Sequence, residues 1–499
     1  MELQFHKTGF SCLQQLKREL QNQEQTQEIR LPDGMPDIGR VIGAWGQPLI
    51  RSKEWRSGGM GVSGGVMAWV MYEPEEGGLP QSVETWLPFQ LKWELPDTER
   101  DGTIQVACLL KSIDARTTSA RKLMVRSCVG VMGEAYVPGQ AQVAQPEQLP
   151  EDIQLLRQTY PMLLPMEAGE RHFEMEEEIS LPASSPAVSK LMYYTIQPEI
   201  TECKVMAGKV VFRGGVILHI LYQAEDGSMQ TVEQDYPYSM YSDLDADYDE
   251  DATVQICPLV TSLELEHDAD GKLRMKAGLS GQYMICDRKM IEVVEDAYSP
   301  GRKVVPVKET LQLPVILDDY SQTIHPEQTI DAPGKRVVDM KFYPDHPRLM
   351  HSDGSVELEF PGQFQMLYYD ENDGLQSVMP RWEGNWSVPV SNDAKIEVTV
   401  FATGRPQGVL TGNTAQMRAD LLVNTRAMAQ QGLPMVTGLE VGEALTPDPN
   451  RPSLLLRRFG DETLWDIAKD AGSTVEAIQK ANNLRGEPEP KQVLLIPIP

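Results

Sequence analysis

The run Gly61-Val62-Ser63-Gly64-Gly65 fits G-x-S-x-G, the spacing of a hydrolase nucleophile, and Gly59, Gly61 and Gly64 fit G-x-G-x-x-G, the spacing of a dinucleotide-binding loop. Either chemistry requires a strand that turns into a helix at those residues. Here the glycines lead into a strand-like segment with no β–α alternation around it, so a flexible hairpin loop is expected. Asp243, Asp245, Asp247 and Asp249 could together hold a hard cation, because such ions take several carboxylate oxygens. An EF-hand frame over them would need a glycine where Tyr248 stands and a glutamate where Val254 stands. A solvated acidic loop is the expectation. The histidines include no H-E-x-x-H and no cysteine partner at zinc-ligand spacing, and His219 falls in mid-strand as a packed or surface residue. Cys12, Cys108, Cys128, Cys203, Cys257 and Cys286 form no C-x-x-C and read as reduced thiols. No catalytic residue, metal ligand or cofactor is assigned.

Residues near the C-terminus suit recognition better. Trp465 is of the type enriched at binding centres, and Lys469 follows it one helical turn later on the same face. Trp465 serves a partner if exposed and the core if buried, and its type alone leaves both open. The elements that position these residues run strand, helix, helix, strand from Ser453 onward. Leu464, Ile467, Ala468 and Ala471 share one helix face, and Val475, Ile478 and Ala481 share the next, with Thr474 as a cap. A unit of this size needs nearly all its apolar positions for its own core.

The rest of the chain is built by duplication. A G-x6-Y-x4-G pattern recurs at Gly65, Tyr72, Gly77, at Gly215, Tyr222, Gly227, and at Gly362, Tyr369, Gly374; Pro36, Pro186 and Pro333 open the copies in the same register. Ile104-Gln105-Val106, Val254-Gln255-Ile256 and Ile396-Glu397-Val398 are further counterparts. Alternation such as Val216, Leu218, Ile220, Tyr222 marks half-buried antiparallel strands, and the glycine after each Tyr-x4 suits a hairpin turn with positive φ. The fold class expected is mainly β: three repeated β-sandwich or barrel-like domains followed by a small βααβ module. Leu13, Leu16 and Leu20 suggest an N-terminal helix, and Ile153 to Tyr160 a short connector helix. The expected division is a helical segment over 1–25, repeats over 26–145, 172–305 and 306–440, a connector over 146–171, a Pro-rich linker over 441–452 and the terminal module over 453–499.

With 45 basic and 73 acidic residues among 499, a formal charge of −28 disfavours nucleic acid and anionic membranes as partners. No signal peptide and no run of about 18 apolar residues is seen, so a cytoplasmic protein that is not integral to a membrane is expected.

Gly460-Asp461, Thr463-Leu464-Trp465, Ala481-Asn482-Asn483-Leu484 and Val493-Leu494-Leu495-Ile496-Pro497 closely resemble the LysM family. That resemblance implies a groove for N-acetylglucosamine-containing glycans such as peptidoglycan, lined by Gly460, Asp461 and Thr463 on one side and Asn482, Asn483 and Leu484 on the other. Glu462 is an extra residue in the usual G-D-T run, and Lys491 replaces a usual glycine, both in the groove loops; Asp461, Glu462, Glu487 and Glu489 make that rim acidic, which favours a protein partner over a neutral sugar. The N-terminal FHKTGFSCLQQLKREL and the three repeats resemble the SPOCS domain, and repeated SPOCS domains ending in one LysM are the architecture of SipL-type spore coat morphogenetic proteins. The resemblance implies a non-enzymatic mother-cell scaffold at the forespore surface, contacting other coat proteins and binding a SpoIVA-like coat ATPase through LysM.

Overall fold

The computed structural model describes residues 2–96, 100–182, 185–267, 272–352, 355–388, 394–446 and 451–498. Apart from two short helices near its end, every regular element is a strand. Each copy opens with a long strand: His6–Arg30, Gln154–Ile179 and Arg302–Ile324. A meander follows: Ile38–Arg56, Gly59–Pro74 and Gln81–Glu94 in the first copy, Val188–Met206, Lys209–Ala224 and Met229–Asp243 in the second. In the third copy the central strand Ser355–Tyr369 pairs with four shorter segments instead of two long ones. A closing pair of strands ends each copy: Thr103–Ser119 with Lys122–Gln145, Thr253–His267 with Leu273–Tyr298, and Lys395–Thr411 with Thr414–Ala444. The last strand of each pair also takes the opening strand along its far edge. The meander packs on this long sheet, so that Val66, Val70 and Leu87 meet Val106, Val125 and Val129 in one core.

Two helical expectations fail. Leu13, Leu16 and Leu20 lie in a strand paired end to end with Lys122–Gln145. A bulge between Gln15 and Lys17 inserts one residue, so Leu13 and Leu20 face the same side of the sheet although an odd number of residues separates them from a simple alternation. Residues 154–160 likewise extend the second opening strand, because cross-strand pairing with Leu273–Tyr298 overrides a weak helical spacing. Residues 2–4 and 6–25 and most of 146–171 are therefore sheet, and 441–444 continue the last strand rather than forming linker; residue 1 and residues 447–450 of that linker lie outside those described.

The expected glycine loop at 59–65 is also corrected. It is the start of one continuous strand, and the absence of a side chain at Gly65 lets the Trp86 ring lie across it. The constrained position is the residue before the motif glycine: a Cβ on Gly64 would collide with the Leu49 carbonyl oxygen, and one on Gly214 with that of Glu199. Gly77 and Gly227 turn with φ of 78° and 83°, as the hairpins require. In the third copy the turn comes one residue early, and Asp373 takes the positive φ (61°) beside Gly374.

The copies close on one another cyclically. Trp45 of the first stacks on Tyr193 of the second, 5.1 Å between centroids; Lys341 of the third donates to Thr195 of the second (2.8 Å); Gln365 of the third donates to the Ala44 carbonyl of the first (3.0 Å). The N-terminal strand Glu2–Gln4 pairs with 438–440 of the third copy and so fastens the ring. Equivalent residues of the three copies meet in one small cavity: Gln105, Gln255 and Glu397, with their cross-strand partners Glu134, Met284 and Arg426. There Arg18 pairs with Glu134 and reaches Glu397 at 3.8 Å, while Arg426 holds Asp319 at 3.0 Å.

Candidate functional site

The terminal module forms as its spacing predicts. Leu454–Arg458 and Val493–Pro497 pair antiparallel, and helices α1 (Leu464–Ala471) and α2 (Val475–Asn482) pack against them. Thr463 caps α1 through a reciprocal bond with Asp466, Gly472 ends it at φ 60°, Thr474 caps α2 and Asn483 ends that helix at φ 53°. Leu464, Ile467, Ala468, Ala471 and Ile478 are buried with Leu494 and Ile496.

Half of the six expected groove residues are engaged inside the module. The Asn482 side chain accepts from the Leu495 amide (2.8 Å) and donates to the Leu495 carbonyl (2.6 Å), which binds α2 to the last strand like one more rung of sheet. The Thr463 hydroxyl is used by the cap, and Leu484 packs half-buried against the core. Gly460, Asp461 and Asn483 remain exposed. Lys491, where the family expects glycine, has φ of 72°, the left-handed region that disfavours a side chain.

Trp465 and Lys469 turn toward the ring. Trp465 is half-buried, its ring edge-on to Tyr298 at 4.8 Å, and its Nε1 donates to Asp296 Oδ2 at 3.0 Å. Lys469 Nζ donates to the same oxygen (2.6 Å), and Lys308 Nζ lies 3.2 Å from the other. The Tyr298 hydroxyl donates to the Ser473 carbonyl at 3.0 Å. Burial alone would raise the Asp296 pKa, but hydrogen bonds from Lys469, Trp465 and Lys308 outweigh it and hold the carboxyl below its ordinary range. Asp296, Tyr298 and Lys308 were not foreseen, because nothing in a strand's own alternation says that its end will receive a distant helix.

Elsewhere the candidates behave as structure. Ser63 sits in mid-strand, its hydroxyl 2.7 Å from that of Ser52, in an antiparallel sheet rather than at a strand-to-helix turn. In the acidic loop, Asp245 N and the Tyr248 hydroxyl both donate to Glu167. Asp249, Asp251 and Asp287 bring carboxylates within 4.8 Å of one another, but Lys289 Nζ is already 2.6 Å from the buried Asp287. His219 is buried, with Nδ1 2.8 Å from Glu233, Nε2 3.0 Å from Asp339, and the Tyr193 hydroxyl donating to Asp339. Burial pushes the His219 imidazole down to about 4 and the Asp339 carboxyl up to about 6. These groups come from the second and third copies, and His219 and Glu233 line a cleft of about 230 Å³ between all three. No sequence spacing joins them, since ring closure alone brings Asp339 to His219.

With the geometry in view, two family models match the chain: residues 187–266 match the SPOCS domain of SipL, and residues 458–497 match the LysM domain. No curated protein and no solved structure matches it. The two domains support a sporulation-related protein carrying a LysM module, and both are binding rather than catalytic domains. Among the described residues, no helix is long and apolar enough to cross a membrane.

Proposed function

We propose that this chain is a non-enzymatic scaffold of spore coat morphogenesis, acting in the mother cell at the forespore surface, which binds a SpoIVA-like coat ATPase through its LysM module and promotes forespore encasement. The observation that carries the choice of a protein partner is the state of the groove. Asn482, Thr463 and Leu484 are held by bonds and packing within the module, so half of the groove's six residues are already committed and less of it is left to grip a sugar. The closed ring of β copies supports contacts with other coat proteins in this reading.

A second reading keeps the module as a reader of peptidoglycan or another N-acetylglucosamine glycan, and the LysM match favours it. The test is a parallel pulldown of the full chain, and of a chain ending before Pro452, against a purified SpoIVA-like ATPase and against peptidoglycan sacculi. Capture of the ATPase by the full chain alone is the expected result. Capture by sacculi alone would make this a glycan-binding protein and remove the ATPase.

A further inference from the structure

The side of the LysM module that carries α1 faces the ring, through Trp465, Lys469 and the Tyr298 hydroxyl bond. Its two-stranded sheet packs on the helices with Leu494 and Ile496, so strand alternation sends the intervening side chains to the opposite face, away from the ring. On that face Leu456 stands opposite Leu495, and Arg458 opposite Val493, with Leu454 continuing the row. Leu456 is 71% exposed, Val493 58%, Leu454 50% and Leu495 37%, whereas Leu464, Ile467, Ile478, Leu494 and Ile496 are buried. Contiguous exposed leucines on a small soluble module mark an interaction surface more often than chance.

The charges beside this row say what kind of partner fits. Arg458 donates only to the Lys491 carbonyl, at 3.3 Å, and neither Arg458 nor Lys491 has a carboxylate at ion-pair distance among the described residues. By contrast Arg457, on the other face, is paired with Glu462 and Asp470. The chain as a whole carries −28, yet residues 451–498 hold seven basic and seven acidic residues, and Arg458, opposite Val493, stands in the leucine row itself. Screening over about 8 Å at physiological salt leaves the distant acidic body with little influence here. Lys491 also keeps a cation at a position where φ of 72° favours glycine, a local strain of the sort retained where a side chain is needed.

We infer that the outer face of the LysM sheet is a protein-docking surface, and that its occupant is a partner segment presenting apolar side chains flanked by carboxylates. This rests on the reading of the module as a protein binder, and it moves the contact from the groove loops to the sheet.

The experiment uses the full chain and purified SpoIVA-like ATPase, with anilinonaphthalene sulfonate, an anionic apolar dye, as a partner-independent probe. Leu456→Glu should weaken ATPase binding about thirtyfold or more, as loss of a central apolar anchor does. Lys491→Gly should raise the melting temperature while weakening binding severalfold, a divergence that a merely structural lysine cannot produce. A groove variant, Asp461→Ala with Asn483→Gly, should bind as wild type does. Equal binding by wild type and Leu456→Glu overturns the surface and leaves the partner in place. If wild type does not bind the ATPase, the partner reading fails and the dye decides the surface: native-state dye binding lost in Leu456→Glu supports it, and its absence in wild type overturns it. Sedimentation showing that wild type self-associates through this face, lost in Leu456→Glu, would make the occupant a second copy and overturn the acidic partner.

Discussion

Replacing Asp296 by alanine should release the LysM module from the ring while leaving both folded. The carboxylate is the one acceptor shared by Trp465 and Lys469, with Lys308 at its second oxygen, and its side chain is only 12% exposed. Hydrogen bonds to a charged group contribute about 1.5–3 kcal/mol when sheltered, which applies to the indole. Lys469 is 41% exposed and can rehydrate, so it adds about 0.5–1 kcal/mol, while Lys308 belongs to the ring itself and adds nothing across the contact. The loss is then about 2–4 kcal/mol, a shift of roughly 30- to 1,000-fold in the docking equilibrium. What remains is the Trp465–Tyr298 ring contact, about 0.5–1.5 kcal/mol, and the Tyr298 bond to Ser473, about 1 kcal/mol. Small-angle scattering should show a larger radius of gyration, and calorimetry a separate transition for the module. Because the Asp296 carboxyl is held below its ordinary value of 3.8, its contribution is present above that value and lost as pH falls through the lower, folded one. Docking in wild type should therefore be flat from pH 8 to about 4 and fail in stronger acid. Scattering and calorimetry of a folded Asp296→Ala protein identical to wild type would refute the contact as the holder of the module.

Asp339→Asn should stabilise the ring at pH 7.5 by about 1–3 kcal/mol, since a buried amide can donate to His219 Nε2 without a charge to desolvate. The carboxyl, raised to about 6, favours folding below its ordinary 3.8 and loses that benefit as pH rises through 6, so the variant's advantage in chemical denaturation should shrink steadily as pH falls from about 6 towards 4. Tyr72→Phe and Tyr222→Phe should each cost about 1 kcal/mol, because each hydroxyl donates to the opening proline of its copy, Pro36 at 3.0 Å and Pro186 at 3.1 Å. Tyr369→Phe, with no such bond among the described residues, should cost less in the same urea titration. Gly214→Ala should cost about 3 kcal/mol or more through its clash with the Glu199 carbonyl, whereas Gly215→Ala, with only the Tyr236 oxygen at 3.7 Å, should stay within about 1 kcal/mol; expression and thermal melts of the pair read the difference.

The copies were legible because duplication preserves spacing: Tyr72 and Tyr222 make the same bond to Pro36 and Pro186 that their common register implies. The module was legible for a different reason, that a small domain must commit its apolar residues, and Leu464, Ile467, Ala468 and Ile478 are all buried. What spacing concealed was the use of each polar group. Asn482 has the side chain of a ligand contact and serves as a rung of sheet. The bulge at Gln15–Lys17 gave Leu13 and Leu20 a shared face that mimics a helix. The recurring glycine at 65 and 215 stood beside, rather than at, the position where the backbone crowds.

Ring closure bears most on how the protein works. Were the copies beads on a string, each would need to bury its own meander. Instead Trp45 is covered by Tyr193 of the next copy, Tyr193 binds Asp339 of the one after, and Gln365 of that copy returns to Ala44 of the first. A rotation that closes after three units leaves no unpaired end, and the strand Glu2–Gln4 on 438–440 completes the closure within one chain. Any one copy removed exposes two interfaces and the charged centre, where Arg18 would lose Glu397, or Arg426 would lose its surroundings. Losing one partner of a buried pair costs about 3–5 kcal/mol, comparable to much of a domain's net stability. The ring is therefore expected to fold as a unit and to hold the docked module at a fixed place on its rim, which suits the scaffold role proposed for it.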